Sequence, residues 1–340
     1  DLDIFYNHHK ENNKITITGT NGKSTTAQIL YDALKDQKVD VRLVGNIGNP
    51  VLLEKNVTNK TVFVIEASSY QLEYSKLFKT NISLILNISP DHLERHKTIN
   101  KYVSAKFKII KNQSKKDFAI LNTENFYINR ELESKIFLPK IIKIKKNINN
   151  FVLKKIDNKH FNTSGNIENL KFILEVAKIL KLKKNTLIKT LKGFKGLKYR
   201  QEIIFQSKKL TIINDSKATT FSSSVSLLKS LTNVYWIVGG QPKKNDRLLL
   251  LKKNCNNIKS YVFGTNQDFF TSKLKKLMKY ETFVDLKSLV KKLSLEIKHD
   301  KNTTPKTILF SPSAASFDSF KNFEQRGKYF NQLIKKYINA

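Results

Sequence analysis

The sequence predicts an α/β protein of two domains: a P-loop-type domain with a mostly parallel sheet, followed by a Rossmann-like domain. Three observations predict it. Short β-rich runs alternate with stretches of helical periodicity almost from the start, as strand–helix–strand units with parallel strands do. At 340 residues and 40% hydrophobic content, the chain can bury full cores and exceeds what one core usually supports. Near the start, a Gly-containing turn links a strand to a helix that opens with Lys-Ser-Thr.

Taken in order, Lys14 to Thr18 reads as a strand, Ser24 to Lys35 as a helix, and Thr61 to Glu66 and Ile82 to Asn87 as buried strands. Ile99 to Lys111 is a helix, Phe118 to Asn122 and Ile141 to Ile144 are strands, and Ile167 to Leu182 is a long helix. Leu191 to Tyr199, with Gly193 and Gly196, reads as a hinge, which divides the chain into domains at 1–195 and 196–340. Beyond it a second strand–helix series has strands near Leu210 to Ile213, Val234 to Val238, Tyr261 to Phe263 and Thr307 to Phe310. No internal repeat is present, and no low-complexity tract beyond a Lys/Asn bias.

Lys+Arg is 62 against Asp+Glu 28, a formal net charge of +34 that raises nucleic acid as a partner. The distribution argues otherwise. Pairs such as Lys115-Lys116, Lys183-Lys184 and Lys275-Lys276 are spread over the whole length, and with abundant Asn and Ile they carry the mark of an AT-rich coding bias. This is a solvated surface able to attract polyanions non-specifically, with no specific nucleic-acid footprint. The single cysteine, Cys255, cannot form an internal disulfide, which fits a reducing compartment. No apolar run approaches the ~20 residues needed to span a bilayer, and the first residues lack the basic start and apolar stretch of a signal peptide. The expectation is a soluble cytoplasmic protein with no membrane partner. Because it opens at Asp1 without Met, its beginning is expected to be cut off or encoded differently.

In the turn, Gly19 and Gly22 let the backbone amides of Thr20, Asn21 and their neighbours approach phosphate oxygens. The helix start at Ser24 and Thr25 adds its dipole, Lys23 a point charge, and the Ser24 hydroxyl a ligand for Mg²⁺. The general GxxxxGK[ST] pattern wants Gly where Ile17 stands. On this motif alone a kinase, a GTPase and an ATP-dependent ligase stay open, as does an ordinary turn before a helix.

Glu66 ends an apolar strand, so its carboxylate emerges at a carboxyl edge, where α/β sheets bind ligands. It either holds Mg²⁺ or caps the next helix. His92 follows the strand ending near Asn87 and is placed at the same edge, as a ligand or as a structural residue. In the helix from Ile99, positions 99, 102, 103, 106 and 110 share one face and hold Ile, Tyr, Val, Lys and Ile. Lys106 thus lies in an apolar stripe. Burial would favour its neutral amine, which can react with CO₂; snorkelling to the helix edge is the alternative.

Together these residues resemble the Mur ligases, and among them the family that adds D-glutamate. The phosphate loop in its form T-G-T-N-G-K-S-T, the segments Glu66 to Glu73, Asn87 to His92 and Ala105-Lys106, and the loop Gly45 to Gly48 are similar to successive motifs of that family. So are Asn214 to Thr219 and, most specifically, Ser311 to Gly327. The resemblance implies an ATP-dependent amide ligase that joins D-glutamate to UDP-N-acetylmuramoyl-L-alanine through an acyl phosphate, in peptidoglycan precursor synthesis. It implies Lys23, Glu66, His92 and Lys106 as catalytic groups, with Ser24 and Glu66 on one Mg²⁺ and His92 and a CO₂-derived carbamate on Lys106 on a second. It places Asn166 and Asn169 beside the adenine, Arg200 on the nucleotide and Asp215 on the ribose. Asn46, Ser68 and Gln71 would face the muramoyl substrate, and Lys217, Thr219, Lys243, Ser316 and Phe323 would line the D-glutamate pocket. A monomer acting on small molecules is expected.

Three departures stand against the family pattern. Gly165 precedes Asn166 where the family has His, and Tyr199 stands where His precedes the nucleotide arginine. The N-terminal domain of roughly a hundred residues that binds uridine diphosphate in the family is expected to be missing from this chain. A Mur or folylpolyglutamate-type ligase for another amino acid, and a non-catalytic basic ATP-binding protein, are the competing readings.

Overall fold

The computed structural model describes residues 1–144, 150–244, 246–300 and 304–338. The chain forms two compact units, Asp1–Phe194 and Lys195–Ala340.

The first unit is built on strands β1 (Lys14–Thr18), β2 (Val41–Gly45), β3 (Val62–Glu66), β4 (Ile82–Ile85), β5 (Phe118–Leu121) and β6 (Lys140–Lys143). They lie in the order β2-β3-β1-β4-β5-β6, and every pair is parallel. β1 is buried throughout. Its polar residues are paired: Thr16 and Thr80 share a hydroxyl contact of 2.8 Å, and the Lys14 ammonium donates to the carbonyls of Asn12 (2.5 Å) and Lys10 (3.2 Å). Burial pulls the Lys14 pKa down to about 8. The register sets Ile17 beside Glu66 and Thr18 beside Ile85, so β1, β3 and β4 deliver their carboxyl ends to one edge.

Helices cover both faces of this sheet, as an all-parallel sheet requires. On one, helix Lys23–Asp36 presses Ala27, Leu30, Ala33 and Leu34 onto the strands beside Leu170, Ile173 and Val176 of helix Ser164–Ile179. On the other, Tyr102, Val103, Phe107 and Ile110 of helix Ile99–Lys111 meet Phe63, Ile65 and Ile85. β2 was not legible in the sequence because it is an edge strand with a broken burial pattern, and its Arg42 pairs with Asp40 and Glu54. The expected hinge starts too early. Helix Lys184–Gly193 continues through the buried Leu191, and the Asn158 side chain holds its end by donating to the carbonyls of Leu191 (2.8 Å) and Phe194 (2.9 Å).

The second unit carries β7 (Glu202–Gln206), β8 (Leu210–Asn214), β9 (Val234–Gly239), β10 (Ile258–Phe263), β11 (Lys279–Phe283) and β12 (Lys306–Phe310). The order is β11-β10-β9-β12-β8-β7, parallel except for the β7–β8 hairpin. β7 and β11 are likewise illegible in the sequence: they are edge strands without a buried position. Among the described residues no helix is long and apolar enough to cross a membrane.

Two cores flank this second sheet. Trp236, fully buried, donates its indole N–H to the Ser311 carbonyl (2.8 Å) on one face. On the other, Phe330 stacks on Phe310 with ring centroids 4.2 Å apart. Truncating Phe330 to Ala is expected to cost the second unit about 3–5 kcal/mol. Urea unfolding followed through Trp236, the only tryptophan in the chain, measures it.

Candidate active site

The turn after β1 is held from across the sheet by the segment after β4. Thr20 N–H donates to the Asn87 carbonyl (2.8 Å), Asn21 N–H to Asn87 Oδ1 (2.9 Å), and Ser89 N–H to Thr20 Oγ1 (3.0 Å). Gly22 caps helix Lys23–Asp36 at φ 83, and a Cβ there would lie 2.2 Å from Asn169 Oδ1, so glycine is required twice over. The Lys23 ammonium folds over the turn onto the carbonyls of Gly19 (2.8 Å) and Thr20 (2.9 Å). Ser24 is buried behind it, and Thr25 is half-buried in the first helical turn.

Glu66 is buried at the end of β3. Its Oε1 accepts from Asn46 Nδ2 (2.9 Å), whereas Oε2 has no hydrogen-bond partner among the described residues. Glu66 does not cap the next helix. Ser68 does, in a capping box with Gln71: Gln71 N–H donates to Ser68 Oγ (3.2 Å) and Ser68 N–H to Gln71 Oε1 (3.0 Å). A buried carboxylate oxygen without a donor is costly in a protein interior, and a cation is one group able to satisfy it.

Lys106 is fully buried and does not snorkel. Its ammonium donates to the Gly19 carbonyl (2.8 Å) and lies 4.6 Å from the centre of the Tyr102 ring. Burial, helped by the nearby Lys23 charge, holds its pKa well below the usual lysine range against the pull of Asp91 and Glu66. Tyr102, one helical turn earlier, joins this group to the phosphate turn through a 3.1 Å contact with Thr20 Oγ1. The i, i+4 spacing of Tyr102 and Lys106 on the apolar face is visible in the sequence, but the contact of the hydroxyl with Thr20 is not.

His92 adopts the left-handed region (φ 53), where Asp91 Oδ1 accepts from its N–H at 2.9 Å. Its Nδ1 lies 2.9 Å from the Tyr70 hydroxyl, its Nε2 3.5 Å from Asp91 Oδ2, and its ring 6.4 Å from that of Tyr102. Among the described residues, no three His, Cys, Asp or Glu side chains converge on a point that could hold a metal. A cation here therefore needs other donors: the Ser24 hydroxyl, a modified lysine or the phosphates of a nucleotide.

Asn166 and Asn169 stand together on helix Ser164–Ile179. Asn166 Nδ2 donates to the His160 carbonyl (2.7 Å), and Asn169 Nδ2 to Asn166 Oδ1 (3.5 Å). Thr163 caps the helix, so Gly165 falls in its first turn. Glu168 between them accepts from Asn122 (3.1 Å) and Asn87 (3.4 Å), tying this helix to the residue that holds the phosphate turn.

In the second unit Asp215, Lys217 and Thr219 follow β8, Lys243 follows β9, and Ser316 follows β12. These strands are neighbours in the sheet, and the loops leave its carboxyl edge. Gln241 and Ala315 join two of the loops by reciprocal 2.9 Å backbone bonds. Arg326, fully buried, joins Ser216 to the β12 loop by donating to the carbonyls of Ser216 (2.7 Å), Ala314 (2.9 Å) and Ala315 (3.2 Å). Phe323 stacks under two cations, Lys217 at 4.1 Å and Arg200 at 5.8 Å. Tyr199, the departure from histidine, packs its ring on Gly327, where a Cβ would approach to 2.4 Å. Arg326 lies within the Ser311 to Gly327 motif, and nothing in the local sequence shows that its guanidinium will be interred.

Asp215 is enclosed, with Oδ2 accepting from Ser311 Oγ (2.9 Å) and Oδ1 from Gln201 N–H (3.1 Å). Burial pushes its pKa up to about 7, against these bonds and the charges of Arg200 and Arg326.

A parallel sheet with a phosphate turn at its centre, an unsatisfied carboxylate beside it and a buried lysine define an α/β enzyme of the Mur ligase class. Residues 17–185 match the Mur ligase middle domain. The fold is similar to MurF ligase from Thermotoga maritima in complex with ADP, with a TM-score of 0.72 at 16% identity over 98% of this chain and 83% of that one. It is also similar to MurF from Acinetobacter baumannii, with a TM-score of 0.71 at 14% identity over 100% of this chain and 79% of that one. At the level of sequence the chain is 34% identical to UDP-N-acetylmuramoylalanine–D-glutamate ligase of Rickettsia felis, over 99% of this chain and 78% of that protein. It is 31% identical to the enzyme of the same name from Francisella tularensis subsp. novicida, over 98% and 78%. The chain belongs to the UDP-N-acetylmuramoylalanine–D-glutamate ligase family.

The environment of Asp215 sets a pH dependence. Its folded pKa lies above the ordinary 3.8, so the stability it lends is fully present below about pH 4 and lost as pH rises through about 7. At about 1.4 kcal/mol per unit the whole effect is roughly 4 kcal/mol. Urea unfolding at pH 5 and pH 8 is expected to show Asp215→Asn gaining stability relative to the parent chain as pH rises.

Proposed function

We propose that this chain joins the amine of D-glutamate to the alanine carboxylate of UDP-N-acetylmuramoyl-L-alanine at the expense of ATP. The observation that carries the reading is the 34% identity over 99% of the chain to a ligase of that name. Likeness of fold alone extends to Mur ligases with other names. The reading makes the protein a cytoplasmic monomer acting on small molecules in peptidoglycan precursor synthesis.

In this reading the alanine carboxylate attacks the γ-phosphorus of ATP, ADP departs, and an acyl phosphate forms. The amine of D-glutamate then adds to the acyl carbon, and the tetrahedral intermediate expels phosphate as the nitrogen loses its proton. Lys23 brings a positive charge to the transferred phosphoryl group from a turn that Asn87 keeps in shape. Asn166 and Asn169 address the adenine, Asp215 the ribose, and Arg200 the nucleotide. Asn46, Ser68 and Gln71 face the muramoyl substrate; the capping box already fixes two of them in place. Lys217, Thr219, Lys243, Ser316 and Phe323 receive the dicarboxylate, for which cations and hydroxyl donors are the fitting partners. The domains so assigned are 1–195 for ATP and 196–340 for the amino acid.

The donor set suits Mg²⁺. The unpartnered Glu66 oxygen and the Ser24 hydroxyl would hold one ion, and His92 with a carbamate on Lys106 a second. When bound, the ions neutralise charge on the phosphates. The low basicity of Lys106 favours the carbamate: its neutral amine adds to CO₂, forming an N–C bond and releasing a proton.

Phosphate release from ATP by the protein, with the muramoyl-alanine nucleotide and D-glutamate, L-glutamate or meso-diaminopimelate added in turn, tests the reading. Release that requires both the nucleotide and the D enantiomer is expected, and Lys23→Ala is expected to lower it at least about a hundredfold. Release with another amino acid would assign the chain to a different substrate. With ¹³C-bicarbonate, a carbamate carbon resonance is expected in the parent protein and not in Lys106→Gln; its absence from both would remove the carbamate from the scheme.

A further inference from the structure

We propose that Tyr70 is a positioning residue whose hydroxyl holds His92 by Nδ1, so that Nε2 is the nitrogen presented to a divalent cation. The inference rests on the reading of His92 as a cation ligand. A metal-binding imidazole is oriented by what its second nitrogen touches, since that contact sets both ring rotation and which nitrogen keeps a lone pair. For His92 the nearer contact at Nδ1 is the 2.9 Å approach of the Tyr70 hydroxyl, with the exposed Glu94 carboxylate farther off at 3.5 Å.

Tyr70 is itself well held. It belongs to helix Ser69–Tyr74, whose start, just beyond Glu66, is locked by the Ser68–Gln71 capping box. Its ring meets His92 edge-on at 5.0 Å and stacks on His96 at 5.5 Å and 25°. His96 is buried and anchored in turn, its Nε2 lying 3.0 Å from Ser69 Oγ. Backbone geometry completes the hold on His92, because the Asp91 carboxylate bonds its N–H and keeps it in the left-handed region.

A phenol at Nδ1 has a property that a carboxylate lacks: it can donate or accept. With Nε2 protonated toward Asp91, Tyr70 donates to Nδ1; with a cation at Nε2, Nδ1–H donates to the Tyr70 oxygen. The ring need not turn between the two states. One short helix after β3 thereby links Glu66 to His92, and the two groups are placed by the same piece of chain.

Mn²⁺ binding in the presence of saturating ADP, read by electron paramagnetic resonance, tests this in the parent protein, Tyr70→Phe and His92→Ala. Phe preserves the stacking on His96, and the thermal midpoint of Tyr70→Phe checks that the fold is kept. Weaker Mn²⁺ binding in both variants, by about 10–100-fold in Tyr70→Phe, is the expected result. A ¹⁵N spectrum should also show the His92 Nδ1–H state of the Mn²⁺-free, Mg²⁺-loaded parent lost or mixed in Tyr70→Phe. Binding weakened in His92→Ala and unchanged in Tyr70→Phe would overturn the role of Tyr70 alone. Unchanged binding in both would overturn the assignment of His92 and this inference with it.

Discussion

Strand β1 is the constraint on which the first unit depends. Paired in parallel with β3 on one side and β4 on the other, it brings three carboxyl ends together at one edge. The phosphate turn, Glu66 and the Asn87–His92 segment are then close because their strands are in register. The turn is fastened across that edge, since its amides are held by Asn87, 66 residues further along the chain. Helix Ile99–Lys111 adds to the same place from below, sending the Lys106 ammonium to the Gly19 carbonyl. A buried ammonium and a buried carboxylate without a full set of partners are expensive in a protein interior. Their persistence beside the phosphate turn is what a group of ligands, rather than a core, looks like.

The second unit reaches a comparable arrangement by a different means. Its loops after β8, β9 and β12 leave neighbouring strands, and buried polar groups fasten them. Arg326 satisfies three backbone carbonyls in two of those loops, and Asp215 is tied to β12 through Ser311. Ser311 continues into a chain of hydroxyls, with Ser224 Oγ 2.6 Å from both Ser311 Oγ and Ser313 Oγ. Such a network is rigid when every member is satisfied. It ties together the loops after β8 and β12, which carry several of the residues proposed to meet the nucleotide and the amino acid.

The two single-residue departures from the family pattern, at Gly165 and Tyr199, are local in their effects. Tyr199 fills against Gly327 the place expected for a histidine ring. Near Asn166 stands a histidine, His160, half-buried with its ring edge-on to Phe161 and Phe194, and desolvation there pulls its pKa down to about 4. It contributes its backbone carbonyl to the Asn166 side chain.

The sequence by itself determined the alternation of strands and helices, the phosphate turn and the family. Each is written in contiguous residues whose local chemistry is the same in any context: Gly at a tight turn, Lys-Ser-Thr at a helix start, and a lysine in an apolar stripe. Its misses were of two kinds. The edge strands β2, β7 and β11 carry too few buried positions for a period to show, and the end of helix Lys184–Gly193 is set by Asn158, a distant side chain. Only the tertiary structure decided which oxygen of Glu66 lacks a donor among the described residues, that Ser68 and not Glu66 caps the next helix, that Tyr70 meets His92, and that Arg326 is buried against Ser216, 110 residues away in the chain. Those facts depend on which surfaces face each other after packing, and long-range pairing leaves no periodic trace in the chain.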